Sequence, residues 1–267
     1  MILSRRVILD GKQLDQQNAA IVVRSVQTGT SKTNVQMTPL MSGIGQRITS
    51  LGYSELVVTV RFAIDLPKRQ LEARRRAYEA ACAWAMSGRG KWLSLGFDTY
   101  RRLYVDRVEI AEPSDFWEWT NDYTITFHAV SVPFWQDSAP TKIMVGMMNP
   151  DGTEQTSPYA MTIPGHVRTV LDMSISNESS SALTYITIST GISTITLNGL
   201  SMASGRSLVI SHADNGLLRI KAGSENVYGK QAAGGSTDLY VDPGDQEISI
   251  TTNRGFIADI SCYGRYV

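Results

Sequence analysis

Cysteine is nearly absent from this chain of 267 residues: Cys82 and Cys262 are the two, far apart. That excludes a disulfide framework and a zinc site built mainly from thiolates, and both read as small buried apolar residues. Long apolar runs are absent as well. No window approaches the roughly 18 apolar residues that a spanning helix needs, so no membrane insertion is expected. The apolar runs of Met1–Asp10 are too short and interrupted for a secretory signal, and synthesis in a cytoplasm without a Sec-type leader is expected. Net charge is missing too. Twenty-five basic and 25 acidic residues cancel, which leaves no general pull toward nucleic acid or an anionic membrane. Histidine is scarce, and His128, His166 and His212 each stand alone, without a second ligand at metal spacing. There is no Gly-x-Ser-x-Gly elbow and no suggestive Cys–His arrangement. The expectation is a protein that is not an enzyme and holds no metal or cofactor.

What is present has an ordinary globular balance, 42% hydrophobic and 19% charged. The length allows two modest domains, each with its own core. Residues 1–137 hold 17 basic and 14 acidic residues, and residues 138–267 hold 8 and 11, a mild asymmetry that hints at two units.

The first half reads as strands around one helix. Ile21–Val26 is a short β-branched run. Residues 27–50, rich in Thr, Ser, Gly, Gln and Asn, are long for a simple loop and read as an extended hairpin or arm. Leu56, Val58, Val60 and Phe62 alternate on one face of the clearest strand. Pro67 opens a helix predicted over 67–87. Its apolar stripe is Leu71, Tyr78, Cys82 and Ala85, and Gly88 suits its end. Strands are expected at 92–95, 103–110 and 123–132. Prolines punctuate 133–165, with Asn149-Pro-Asp-Gly152 a turn signal, and the domain boundary is placed near Asp137-Ser138. The second half shows eight short β runs between 171 and 263. Turn formers separate them, among them Asn198-Gly199, Asp214-Asn-Gly216, Asp242-Pro-Gly244 and Asn253-Arg-Gly255, which is the pattern of a sandwich.

Four stretches invite chemistry. Gly29-Thr-Ser-Lys-Thr33 lacks the glycine before lysine that a phosphate loop needs, and no helix follows, so it reads as part of the arm. Gly43-Ile-Gly45 is weaker still. Asp115, Glu118 and Asp122 surround Trp117 and Trp119, a pattern that sugar hydrolysis uses, yet the stretch also fits a hairpin between two strands. The helix carries Lys68, Arg69, Arg74, Arg75 and Arg76, read as a solvated face with Glu72 and Glu79 to pair with.

Several segments, taken in order and spacing, resemble the distal tail protein (Dit) family of long-tailed, siphovirus-type bacteriophages. In the first half they are Arg47–Phe62, the helix, Trp92–Asp98 with Arg102–Val105, Ile125–Phe127 and Val132–Trp135. In the second they are Leu208–Ser211 with Gly216–Leu218, Asp242–Ile250 and Gly264–Tyr266. One departure is Asp98-Thr99, where family members often carry a proline after the aspartate. The resemblance implies a mainly β fold with one helix. Residues 1–137 would be a β-sandwich or split-barrel ring domain with a long hairpin arm, and residues 138–267 a galectin-like or carbohydrate-module-like sandwich. It implies a structural virion protein at the phage tail tip. A homo-hexamer ring would join the tail tube protein to the tail-tip hub and baseplate, with DNA passing through its lumen. The outer sandwiches would hold receptor-binding proteins or touch the host. Candidate subunit contacts are Arg24, Gln27, Thr30, Lys32, Asn34, Gln36 and Arg47. The alternative function is a carbohydrate-binding module acting through the sandwich, with Tyr185, Tyr228 and Tyr240 as glycan contacts.

Overall fold

A computed structural model describes residues 5–39, 46–111, 122–149 and 152–267. The chain divides into two compact units, Met1–Trp135 together with Val267, and Gln136–Tyr266. Antiparallel strands dominate both, and among the described residues there is one α-helix, the mainly β fold that the sequence predicts.

The first unit begins with β1 (Val7–Leu9), β2 (Lys12–Gln13), β3 (Ile21–Thr28), β4 (Thr33–Pro39), β5 (Gln46–Tyr53) and β6 (Leu56–Ile64). Helix α1 (Leu71–Met86) follows, then β7 (Lys91–Leu95), β8 (Asp98–Val105), β9 (Arg107–Ile110) and β10 (Tyr123–Ala129). Strands β2, β1, β7 and β8 pair in that order, and β3, β6, β10 and β9 form a second sheet. Leu56, Val58, Val60 and Phe62 are fully buried, the face that their alternation predicts.

The helix departs from the sequence reading in start and in phase. Pro67–Gln70 forms a turn, closed by Gln70 N–H donating to Pro67 O at 2.9 Å, and the helix begins at Leu71. Its buried face is Arg74, Ala77, Ala81, Trp84 and Ala85, whereas Leu71 is 45% exposed. Three alanines allow close approach to the core, and Trp84 fills the space beside them. The Trp84 ring meets Phe127 edge-on at 5.9 Å, and its indole N–H donates to Lys12 O at 3.0 Å. Arg74, expected on the solvated basic face, is buried. Its Nη1 donates to Leu66 O at 2.8 Å and to Ile64 O at 3.3 Å, which ties the helix to the end of β6. Arg75 and Arg76 do face solvent, paired with Glu72 and Glu79.

In the second unit the elements are β11 (Trp135–Asp137), β12 (Thr141–Met147), β13 (Gln155–Ile163), β14 (Thr169–Asn177), β15 (Leu183–Ser189), β16 (Thr194–Met202) and β17 (Ser207–His212). They continue with β18 (Leu218–Ala222), β19 (Glu225–Asn226), β20 (Tyr240–Val241), β21 (Gly244–Thr252), β22 (Phe256–Cys262) and β23 (Arg265–Tyr266). One sheet runs β12-β22-β14-β17-β18-β19, with β20 also paired to β14; the other runs β13-β21-β15-β16. Inward residues such as Leu171, Ile175, Ile186, Ile188, Ile248 and Ile260 form one core, and Cys262 is buried with them. Cys82 in the first unit is only half-buried.

Two features of the second unit differ from the sequence reading. The proline-punctuated stretch holds two full strands, β12 and β13. Pro158 is tolerated because β13 is an edge strand, where a missing N–H costs no ladder bond. Asn198-Gly199 lies inside β16 rather than between strands. Gly199, at φ +65°, sits in a bulge where the register against β15 shifts between Leu183 and Tyr185.

Candidate assembly surface

The arm expected from the sequence is a two-stranded ribbon, β4 with β5, that continues the pairing of β3 with β6. Thr28 faces Val58; Gly29 N–H then donates to Val57 O at 2.7 Å, Ser54 N–H to Lys32 O at 2.8 Å, and Thr33 faces Tyr53. Each of these steps retreats one residue on each strand, so the register runs through the junction and β3–β4 and β5–β6 form one long hairpin, with bulges between Val23 and Ser25 and between Gln36 and Met37. Inside the sheet the hairpin is flanked by β10 on the β6 side. Beyond Lys32 and Ser54, no third strand joins the ribbon among the described residues. Seven residues of β4 extend it by about 24 Å at the usual rise of a strand.

A lone two-stranded hairpin is marginal in water, so its root needs support. Ser31 is buried and its hydroxyl donates to Pro133 O. The Tyr53 ring meets Phe134 edge-on at 4.7 Å. Lys32 N–H donates to Ser54 Oγ at 2.8 Å. Glu55, at the start of β6, lies 3.0 Å from Nδ1 of the buried His128 on β10, and His128 Nε2 lies 3.5 Å from Glu109 on the edge strand β9. Arg107 closes the cluster against Glu109 at 3.2 Å. The carboxylates are half-exposed, so these pairs fix geometry more than they add stability.

The ribbon and its approach carry charge of one sign. From Gln16 to Ser54 there is no Asp or Glu, whereas Arg24, Lys32 and Arg47 fall within it. Of the candidate contact residues, Arg24, Gln27, Thr30, Lys32, Asn34 and Gln36 are all exposed. Arg24 and Gln27 belong to β3, in the main sheet, and Lys32 stands at the root. Asn34 and Gln36 lie on β4; Arg47 lies on β5, with its side chain outside the described set. Gly29–Thr33 is the root of the ribbon. Gly43-Ile-Gly45, Asp115 and Glu118 lie outside the described residues, and Asp122 is exposed.

The three candidate glycan tyrosines stand on different elements. Tyr185 on β15 is half-buried, its hydroxyl accepting from Thr187 Oγ1 at 2.8 Å. Tyr228, 43% exposed, begins a short 3-10 turn, and Tyr240, 36% exposed, pairs through β20 with β14. No ring contact joins them among the described residues. The histidines are separate as well. His166 packs edge-on to Tyr266 at 5.2 Å. Both ring nitrogens of His212 are occupied by carboxylates, at 2.8 Å from Asp172 and 2.6 Å from Asp238, so neither offers a free lone pair to act as a base. No group of three or more metal-ligating side chains is found among the described residues.

No protein-family model and no curated protein matches the chain. Among solved structures it is similar to the Dit protein (gp 19.1) of phage SPP1, described as a paradigm of the hub adsorption apparatus in phages that infect Gram-positive bacteria. The TM-score is 0.67 at 10% identity, over 98% of this chain and 99% of that one. It also aligns with a chain of the phage p2 baseplate in its activated conformation. With strontium the TM-score is 0.48 at 9% identity over 96% and 97% of the two chains; with calcium it is 0.49 at 10% identity over 97% of each. Through both units, the chain therefore has the fold of a phage Dit hub protein.

Proposed function

We propose that this chain is a structural protein of a phage tail tip, whose first unit closes with further copies into a ring of six. The ring joins the tail tube protein to the tail-tip hub, and DNA passes through its lumen. The second unit projects outward, where receptor-binding proteins or the host surface meet it. The observation that carries this reading is the likeness to SPP1 Dit along nearly the whole of both chains. The ribbon supplies the physical means. Its unpaired edges are a liability on a monomer, but become strand-addition sites when a neighbour lies alongside. A head-to-tail contact of this kind generates a ring when the rotation closes. Zero net charge suits a conduit through which DNA slides.

The register defines a clean test. Residues 27 and 28 pair with Thr59 and Val58 inside the main sheet, so a deletion that starts there damages the unit itself. Replacing 33–53 by a two-residue Asn-Gly turn rejoins Lys32 to Ser54 where they already pair. This variant also gives up the Tyr53–Phe134 contact, so it is expected to fold with a loss of about 1 kcal/mol and to lose the ring in negative-stain images. Normal rings from the shortened chain would show that the ribbon is not the subunit contact.

A further inference from the structure

The second unit contains a buried charged cluster. His212 ends β17, and its side chain is only 4% exposed. Nδ1 lies 2.8 Å from Asp172 Oδ1 on β14, and Nε2 lies 2.6 Å from Asp238 Oδ1. A carboxylate only accepts, so both nitrogens must donate, and the ring is an imidazolium. On its other side, β18 meets it with the apolar Leu218. Asp238 belongs to a strap, Gln231–Val241, that spans the two sheets. At one end Ala232 and Ser236 N–H groups donate to Thr196 O and Thr194 O on β16, both at 2.8 Å. At the other, Leu239 O accepts from Leu171 N–H at 3.0 Å and Tyr240 pairs with Val170. Two of its own residues at that end, Leu239 and Val241, are fully buried.

We propose that His212 is a proton-dependent clamp: as the imidazolium it ties the strap to β14, and loss of that one proton to solvent lets the strap lift from the sandwich. Once the proton is gone, one ring nitrogen presents a lone pair to a carboxylate oxygen at hydrogen-bond distance, and attraction becomes repulsion. Burial pulls the pKa of the imidazolium down. Hydrogen bonds to Asp172 and Asp238, and their charges, outweigh it and lift the value from 6.5 to about 9. The direction fixes the sign. The clamp holds fully below 6.5 and is lost as pH rises through about 9.

Cys262 faces Asp137 and Asp172; burial, then those charges, pushes its thiol up to about 12. Tyr240 faces Asp238, and burial followed by that carboxylate raises its hydroxyl above the ordinary 10, so both stay protonated through the window. Arg265, largely buried, is the second cation; burial lowers its pKa, and Asp238, Tyr240 and Asp172 oppose that.

The test is hydrogen–deuterium exchange of the full chain from pH 6 to 10, corrected for intrinsic rates, with first-unit peptides as the internal control. Strap peptides are expected to lose protection along a one-proton curve with a midpoint near 9, by up to about 300-fold, the ratio equivalent to the shift from 6.5. His212→Gln should show an open strap at every pH. Should that variant fail to fold, Asp238→Asn serves instead, and its midpoint should move down toward 6.5. A strap that stays protected to pH 10, or an Asp238→Asn midpoint that does not move, would overturn the proposal.

Discussion

Arg74 sits in a run of three arginines and, alone among them, is fully buried. Composition does not distinguish Arg74 from Arg75 and Arg76; helix phase does. The turn at Pro67–Gln70 rotates the helix so that Arg74 joins Ala77, Ala81 and Trp84 on the inner face. There its Nη1 donates to two carbonyls, Ile64 O at the end of β6 and Leu66 O just beyond it. Arg74→Ala removes the buried donor to both carbonyls, at an expected cost of about 3 kcal/mol. Urea unfolding checks this, and Arg75→Ala, on the exposed face, should change stability by less than about 0.5 kcal/mol. The predicted stripe through Leu71 went astray for the same reason: in a helix this rich in alanine, small residues mark the buried face, and the larger Leu71 is left in solvent.

Among the elements, the arm was legible as a long polar stretch between strands, because its composition suits neither a tight turn nor a core strand. Its register through the junction was not legible, since a hydrophobic alternation that would specify pairing is absent from Gln27–Thr33. Strands β12 and β13 were hidden by prolines whose edge position only the topology reveals. Asn198-Gly199, a strong turn signal in sequence, became a bulge because β16 continues past it to pair Met202 with Leu183. The ribbon's root offers a prediction of its own. Tyr53→Ala removes the edge-on contact with Phe134, worth about 1 kcal/mol. Trypsin cleavage within the ribbon, at Lys32 and Arg47, should speed up about fivefold, while cleavage in the second unit stays at the parent rate. Equal cleavage in parent and variant would mean that the root is held by other contacts.

In the whole molecule, the order of elements was the legible property: strands, one helix, strands, then a helix-free run of short strands. That order, rather than any motif, is what the likeness to SPP1 Dit reflects at 10% identity. The glycan reading has only three tyrosines on separate elements to rest on, with Tyr185 half-buried and Tyr228 and Tyr240 exposed. Assembly is different in kind, because it needs no pocket or catalytic group, only surfaces that repeat from copy to copy. Its most direct measurement is the mass of the purified full-length protein in solution, read by light scattering or native mass spectrometry. A closed particle of about six copies of the 29.4 kDa chain is expected. A species that stays at the mass of one chain, at high concentration and with the tail tube protein added, would contradict it.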